Sequence, residues 1–282
     1  MTKDTHQTAP TQFAEANGIR FGYRRFGKLG GVPLVFNQHF TGTMDHWDPA
    51  VTDGFAKDRE VILFNNAGVS STSGEVPTSF EEMGANAVAF IKALGLTKVD
   101  VLGFSIGGFV AQEITLQAPD LVKRLVLVGT GPRGGEGMAT RTPEAQRIFS
   151  ASYDPPDALW LSVHFTPSEA SQAAGRKFLE RFRRRIENRD PAVNEKVAPA
   201  QAEAIGKWGA PREKPFEYLK SIRQPTLVVN GGKDVIVYTV NSFILQQHLP
   251  NAQLILYPDA SHGSQYQYPE LFVAHVSMFL DG

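Results

Sequence analysis

The chain has 282 residues, of which 42% are hydrophobic and 20% are charged, and its 28 basic and 29 acidic side chains leave a net charge of −1. These fractions exclude a disordered or fibrous chain. The near-neutral charge provides no general attraction to phosphate backbones or anionic lipid, so we expect neither a nucleic-acid partner nor a membrane partner. The absence of cysteine excludes disulfides, thiolate nucleophiles and cysteine-ligated zinc.

The first 18 residues are polar and lack the apolar region of a secretory signal peptide. No segment approaches the roughly 18 consecutive apolar residues that a membrane-spanning helix requires. The sequence therefore favours a cytoplasmic protein, and it leaves open whether the chain forms a homodimer.

Short apolar runs alternate with amphipathic segments along most of the chain. The first run, residues 19–23, predicts an antiparallel edge strand. Six later runs that are apolar nearly throughout predict strands covered on both faces, at 33–36, 61–64, 99–102, 125–128, 226–230 and 253–257. Apolar side chains three and four positions apart predict helices at 80–94, 108–117 and 270–280. Strands that alternate with helices indicate an α/β fold with a mainly parallel sheet.

The alternation stops between residues 133 and 215, where no strand-like apolar run occurs and several helical patterns follow one another. We therefore predict a helical insertion at 133–215 in an α/β core formed by 1–132 and 216–282.

The clearest helix of this insertion begins with a capping-box pattern. Thr166 is predicted as the N-cap, Pro167 as the first helical residue, and Glu169 as the side chain that reaches back to the cap. Further along the same helix, the arginine cluster at 181–185 is expected to form a solvated face, because acidic residues nearby offset its charge.

The strongest chemical signal is the sequence Gly-Phe-Ser-Ile-Gly at 103–107, which directly follows a predicted strand and precedes a predicted helix. In a G-x-S-x-G turn the serine lies on a strained strand-to-helix turn, and glycines two positions away leave room for it. Ser105 is therefore the candidate nucleophile, and the backbone N–H of Ile106 is a candidate oxyanion donor. The alternative is a glycine-rich turn with an incidental serine.

A serine nucleophile needs a base, and the base needs a group that orients it. Asp234 follows the predicted strand at 226–230, and His262 follows the one at 253–257. Taken alone, Asp234 could equally be a solvated turn residue and His262 a surface histidine. The order Ser, Asp, His, with each residue beyond the carboxyl end of a strand, favours a catalytic triad.

These motifs together resemble the α/β-hydrolase family over nearly the whole chain. The serine turn at 103–107, called the elbow below, resembles the family's esterase and cofactor-free haloperoxidase or perhydrolase branch. The resemblance implies an eight-stranded sheet flanked by helices, with a helical cap inserted after the sixth strand. It also implies Ser105 as nucleophile, His262 as general base and acid, and Asp234 as the residue that orients it. We expect no metal and no cofactor.

Two stretches depart from the family pattern. Gln38 and His39 stand where the family usually has His-Gly, which makes the backbone N–H of Phe40 the candidate second oxyanion donor. His39 is expected to tie this loop by a hydrogen bond rather than to act in catalysis. The stretch at 65–70, Asn-Asn-Ala-Gly-Val-Ser, lacks the family's usual aspartate and is expected to shape the floor of the pocket.

Aromatic residues of the insertion are the candidates for a substrate pocket, with burial in the core of the cap as the equal alternative; they are Trp160, His164, Phe165 and Trp208.

The function that these features favour is hydrolysis of a small carboxylic ester or lactone through an acyl-enzyme. Two alternatives stay open. One is a carbon–carbon hydrolase or lyase of the same architecture, and the other is a ligand receptor that keeps the triad. The fold alone does not decide between them.

Overall fold

A computed structural model describes residues 4–282, so the first three residues of the polar N-terminal stretch lie outside it. Its centre is one eight-stranded sheet with the strand order β1-β2-β4-β3-β5-β6-β7-β8. The strands are β1 Gln12–Ala16, β2 Ile19–Gly27, β3 Leu34–Asn37, β4 Glu60–Phe64, β5 Val99–Phe104, β6 Val122–Val128, β7 Thr226–Gly231 and β8 Ala252–Tyr257. The pairings of β2 with β1 and β4 are antiparallel, and all the others are parallel.

The eight-stranded, mainly parallel sheet confirms the predicted fold class. The expected edge strand at 19–23 is antiparallel, but it is not at the edge, because β1 pairs along its outer side. Asn17 and Gly18 connect the two strands with φ angles of 51° and 74°. A two-residue Asn-Gly loop with positive φ values is the most favoured hairpin connection. The sequence therefore contained a signal for the missing strand.

Helices cover both faces of the sheet. Those outside the long β6–β7 connection are α1 Pro49–Ala56, α2 Phe80–Ala93, α3 Ile106–Gln117, α8 Val240–His248, α9 Ser264–Gln267 and α10 Pro269–Asp281, together with the 3₁₀ helix Met44–His46. One apolar cluster lies under α2, α3 and α8, and a second lies under α1 and α10. Strands with buried residues on both faces explain why their sequences are apolar throughout.

The connection between β6 and β7 carries four α-helices, the 3₁₀ helix Glu217–Ser221 and, within the described chain, no strand; the α-helices are α4 Pro143–Ser150, α5 Ala158–His164, α6 Glu169–Phe182 and α7 Val197–Gly209. This agrees with the helical character expected for 133–215. None of the helices among residues 4–282 is both long enough and apolar enough to cross a membrane.

The start of α6 corrects the predicted cap. Ser168, not Thr166, is the N-cap: its backbone is extended, with φ −62° and ψ 148°, and its hydroxyl accepts a hydrogen bond from Ser171 N–H at 3.1 Å. The Thr166 hydroxyl instead donates to the carboxylate of Asp259 at 2.9 Å. Pro167 therefore precedes the N-cap, and Glu169 is the first helical residue. The helix begins two positions later than the predicted capping box required.

The arginine cluster also differs from its prediction, because two of its members are bonded to other parts of the chain and one of these is buried. Arg181 donates two hydrogen bonds to the fully buried carboxylate of Asp48, with Nε···Oδ1 at 2.8 Å and Nη2···Oδ2 at 2.6 Å. Arg185 is 3% exposed and donates to the backbone carbonyls of His6 and Ala9. The end of α6 and the segment after it therefore pack on the loop after β3 and on the N-terminal segment.

Candidate active site

Ser105 lies in the turn between β5 and α3, with φ 57° and ψ −124°. A positive φ at a residue with a side chain is strained and persists only where the surrounding structure holds it. The two flanking glycines are required by space. A Cβ on Gly103 would lie 2.2 Å from the carbonyl oxygen of Gly107, and one on Gly107 would lie 2.1 Å from that of Asn37. The glycine pattern of the motif thus has the steric cause predicted from the sequence.

Neighbouring strands hold the backbone of Ser105 in this conformation. Its N–H donates to the carbonyl of Val128 at 2.9 Å, and its carbonyl accepts from the Thr130 hydroxyl at 2.8 Å. The residue is 7% exposed and stands at the N-terminus of α3, where the helix dipole and free N–H groups favour negative charge. The turn therefore places a hydroxyl where an anion would be stabilised.

Asp234 and His262 are brought together by the carboxyl ends of β7 and β8. His262 Nδ1 lies 2.8 Å from Asp234 Oδ2, and both side chains are buried. The other carboxylate oxygen accepts the N–H groups of Ile236 and Val237 at 2.9 and 3.0 Å. A carboxylate can only accept, so Nδ1 of His262 is the donor in this contact, and a neutral imidazole then carries its free lone pair on Nε2. This is the tautomer that a general base requires.

Ser105 and His262 lie at the same edge of the sheet, since β5, β6, β7 and β8 are consecutive and parallel. The ring centroids of Phe104 and His262 are 4.9 Å apart. A Cβ on Gly129 would come within 3.3 Å of His262 Nδ1, so this glycine leaves room for the imidazole. Within residues 4–282 the Ser105 hydroxyl makes no hydrogen bond with His262, and such bonds commonly tighten only when substrate is bound.

Phe40, Ser105 and Ile106 line one cavity. Neither the Phe40 N–H nor the Ile106 N–H has an acceptor in the part of the chain that the structure describes. The carbonyl of His39 accepts a hydrogen bond from Gly42 N–H at 2.9 Å. In a trans peptide the C=O and N–H groups point in opposite directions, so this bond turns the Phe40 N–H away from Gly42. Two free donors beside a serine can stabilise an oxyanion.

Gln38 organises the loop that carries Phe40. Its side chain is 2% exposed, accepts from His39 N–H at 2.8 Å and donates to the carbonyl of Thr43 at 2.6 Å. His39 Nδ1 lies 2.9 Å from the carbonyl oxygen of Phe40, which is the loop-tying bond expected of this histidine. Sequence reasoning noted Gln38 as a departure but missed its role, although a buried glutamine must satisfy both ends of its amide.

The insertion reaches this loop as well. The side chain of Gln201 on α7, which is 1% exposed, accepts a hydrogen bond from Thr41 N–H at 2.7 Å. Thr41 has a φ of 54°, so it occupies the left-handed region. A residue of the insertion therefore helps to hold the backbone next to Phe40.

Three further histidines form a chain of ring contacts that reaches the candidate base, from His46 through His39 to His164. His39 and His46 stack with ring centroids 5.7 Å apart, and His164 lies parallel to His262 at 5.8 Å. Burial lowers the pKa of His39 to about 3 and that of His46 to about 4, and it lowers the pKa of His164 well below its usual value. These three imidazoles are therefore neutral at neutral pH and add no positive charge to the site.

The four aromatic candidates for the pocket are not brought to the cavity at Ser105. Trp160 and His164 pack in the histidine cluster, with ring centroids 5.1 Å apart. Phe165 is buried against Phe178, and Trp208 stacks on Phe109 at 4.9 Å. Their packing matches the alternative of a core role. Of the four, only Trp208 contacts a residue that lines the cavity through ring stacking, because Phe109 is one of the lining residues.

The stretch at 65–70 does not line this cavity either. Asn65 accepts a hydrogen bond from Met44 N–H at 2.9 Å and donates to Ser71 Oγ at 3.0 Å. It therefore holds the loop after β3 in place rather than forming a pocket floor. Among residues 4–282 no group of three or more histidine or acidic side chains is arranged to hold a metal ion.

Comparisons to known proteins agree with the fold. A family model described as the alpha/beta hydrolase fold matches residues 32–269. The chain therefore belongs to the α/β-hydrolase family and is a hydrolase of that fold.

The individual relatives named next share between 28% and 42% sequence identity with this chain. The chain is 28% identical over 253 residues to a Mycobacterium tuberculosis protein provisionally named non-heme bromoperoxidase BpoC, covering 85% of this chain and 90% of that one. It is 29% identical over 180 residues to the pimeloyl-[acyl-carrier protein] methyl ester esterase of Nitrosomonas europaea, covering 63% and 69%. The solved structure of an alpha/beta hydrolase fold protein from Chitinophaga pinensis has a TM-score of 0.93 and 42% identity, covering 99% of this chain and 100% of that chain.

Proposed function

We propose that this protein is a serine hydrolase that cleaves a carboxylic ester or lactone through Ser105, His262 and Asp234. The observation that carries the proposal is the strained turn that presents Ser105 to a cavity beside two N–H groups without acceptors. A hydroxyl next to preorganised donors suits a reaction in which a carbonyl oxygen becomes an anion.

In the proposed reaction the Ser105 hydroxyl oxygen attacks the carbonyl carbon while His262 Nε2 takes the hydroxyl proton. The tetrahedral oxyanion accepts hydrogen bonds from the N–H groups of Phe40 and Ile106. The C–O bond to the leaving alcohol then breaks, and the alkoxide receives the proton from His262. Water, deprotonated by His262, attacks the acyl-enzyme and releases the acid. Asp234 stabilises the imidazolium that forms twice in this cycle.

Residues 133–215 are proposed to act as a cap, in keeping with their position between β6 and β7. Met138 and Ala145 line the cavity from the first part of this segment, and Ala202 and Ile205 line it from α7. A covered site excludes bulk water and strengthens the hydrogen bonds to an oxyanion.

An esterase is also among the relatives, which supports ester cleavage over the two alternatives of carbon–carbon cleavage and ligand reception. The test compares turnover of p-nitrophenyl esters and lactones with turnover of β-diketones, using Ser105→Ala as the control. Ester or lactone turnover that disappears in Ser105→Ala is expected. Turnover of β-diketones alone would replace the proposal with a carbon–carbon hydrolase, and saturable binding without turnover would replace it with a receptor.

A further inference from the structure

The loop after β3 leaves one backbone donor free. From residue 39 to residue 44, every backbone N–H except that of Phe40 has an acceptor within the described residues 4–282; the acceptors are Gln38 Oε1, Gln201 Oε1, the carbonyl of His39, His46 Nδ1, Asn65 Oδ1 and Asp190 Oδ2. Backbone N–H groups away from water are almost always paired. The free N–H of Phe40 therefore marks the place where this loop can receive an acceptor from a ligand.

The peptide group that follows Phe40 is held at both ends. Its carbonyl oxygen, that of Phe40, lies 2.9 Å from His39 Nδ1. Its N–H, that of Thr41, donates to Gln201 Oε1 at 2.7 Å. Thr41 has a φ of 54°, and a residue in this strained region keeps its conformation only where its surroundings hold it. Loss of the Gln201 oxygen would let this peptide group turn, and the neighbouring Phe40 N–H would shift with it.

Gln201 is the polar member of an otherwise apolar stripe on α7. Its neighbours on the buried face, at the spacing of successive helical turns, are Val197, Ala204 and Trp208. Burying an amide costs free energy unless it is hydrogen-bonded, and an apolar side chain would fill this position without that cost. The hydrogen bond from Thr41 therefore accounts for a glutamine at position 201.

The helix that carries Gln201 also contacts the cavity. Ala202 and Ile205, which adjoin Gln201 and Ala204 in sequence, line the cavity at Ser105. One helix thus lines the space for a ligand with one face and holds the loop of Phe40 with another. Since a helix moves as a rigid element, displacement of α7 withdraws the Gln201 oxygen from that loop.

We propose that Gln201 is a positioning residue that keeps the Phe40 N–H directed at the oxyanion, so that this donor is in place only while α7 is seated on the loop. The insertion then completes the oxyanion hole and does not only cover it. The inference rests on the proposed function, since the oxyanion is that of the ester that Ser105 attacks. A substrate that packs on Ala202 and Ile205 stabilises α7 in place, and binding energy used in this way appears in kcat.

Two replacements of Gln201 test the proposal. Gln201→Met removes the acceptor at nearly constant side-chain length, and Gln201→Asn withdraws it by one methylene and serves if the first variant does not fold. Because complete loss of an oxyanion donor costs about 10²–10³ in kcat, we expect its displacement to lower kcat about 10- to 100-fold, with KM changed by less than about threefold. The control is Glu203→Met, at an exposed position of the same helix, and it keeps the wild-type kcat.

A transition-state analogue separates positioning from a general loss of stability. A trifluoromethyl ketone forms a tetrahedral adduct with a serine nucleophile, and the oxygen of that adduct takes the place of the oxyanion. Its affinity should fall in Gln201→Met by about the same factor as kcat, whereas ester binding to Ser105→Ala should change little when Gln201→Met is added. A residue that only stabilises the fold would lower the urea midpoint and leave these ratios unchanged.

The outcomes distinguish this inference from the proposed function. Ester turnover by the wild type, with kcat and ketone affinity unchanged in both Gln201 variants, overturns the inference and leaves the proposed function standing. A wild type that turns over no ester removes the proposed function, and ketone binding then decides the inference. Weaker ketone binding to the folded variants supports it, and equal binding, or no binding to the wild type, overturns it.

Discussion

Replacing Gln38 with methionine removes two buried hydrogen bonds without changing the length of the side chain. The His39 N–H then loses its partner at 2.8 Å, next to a side chain that is 2% exposed, whereas the Thr43 carbonyl keeps a hydrogen bond from the His46 N–H at 3.0 Å. A buried polar group left without a partner costs about 1–3 kcal/mol. We therefore expect Gln38→Met to lower the free energy of unfolding by about 1–3 kcal/mol.

The same substitution should also slow the reaction. It frees the backbone that directs the Phe40 N–H, and complete loss of an oxyanion donor costs about 10²–10³ in kcat. Because Gln38→Met displaces the donor rather than deleting it, we expect kcat to fall about 10- to 100-fold with a smaller change in KM.

Urea unfolding and initial rates with a p-nitrophenyl ester measure these two effects. Gln247→Met is the matched control, because Gln247 is exposed, and its unfolding free energy and kcat should stay at wild-type values. If Gln38→Met loses stability but keeps its kcat, the Phe40 N–H does not stabilise the transition state.

Two further predictions concern the insertion. Arg181→Met leaves the buried carboxylate of Asp48 without its partner and should lower the free energy of unfolding, measured by denaturation, by about 3–5 kcal/mol. The control is Arg183→Met, at a side chain that is 56% exposed, and it should change this free energy by less than about 1 kcal/mol. For His164 the folded pKa lies below the unfolded one, so unfolding takes up a proton and stability falls as the pH drops below about 6.5. His164→Phe should therefore make the acid-side slope of the unfolding free energy shallower by about 1.4 kcal/mol per pH unit, while His248→Gln, at an exposed position, keeps the wild-type slope.

Equal effects of the two arginine substitutions would show that burial of the Asp48 ion pair does not anchor α6. An unchanged acid slope in His164→Phe would show that this imidazole is already protonated in the folded protein.

Local sequence signals predicted the parts of the fold that depend on local physics. The buried strands appeared as apolar runs, and the elbow appeared as glycines placed where a side chain would collide with backbone atoms of residues 37 and 107. Asn17 and Gly18 are a local signal for the hairpin of β1, which the apolar runs alone do not reveal. Ser105, Asp234 and His262 could be chosen because each follows a strand whose end lies at one edge of the sheet.

The features that could not be predicted depend on contacts between distant parts of the chain. Arg181 is held against the insertion's neighbouring loop because Asp48, 133 positions away, accepts its hydrogen bonds. Which residues of the insertion line the cavity depends on how α4 and α7 pack, and this is why Trp160 and His164 were candidates when Ala202 and Gly206 line it instead. Helical periodicity identifies an apolar face but does not identify the surface that it meets.

The central claim is that Ser105 is a nucleophile activated by His262. The most direct measurement is mass spectrometry of the folded protein after reaction with a fluorophosphonate, with the modified residue located by peptide mapping. The account predicts one adduct, on Ser105, which is absent in Ser105→Ala and formed far more slowly in His262→Ala. A folded wild-type protein that gains no adduct, or gains it on another residue, would contradict it.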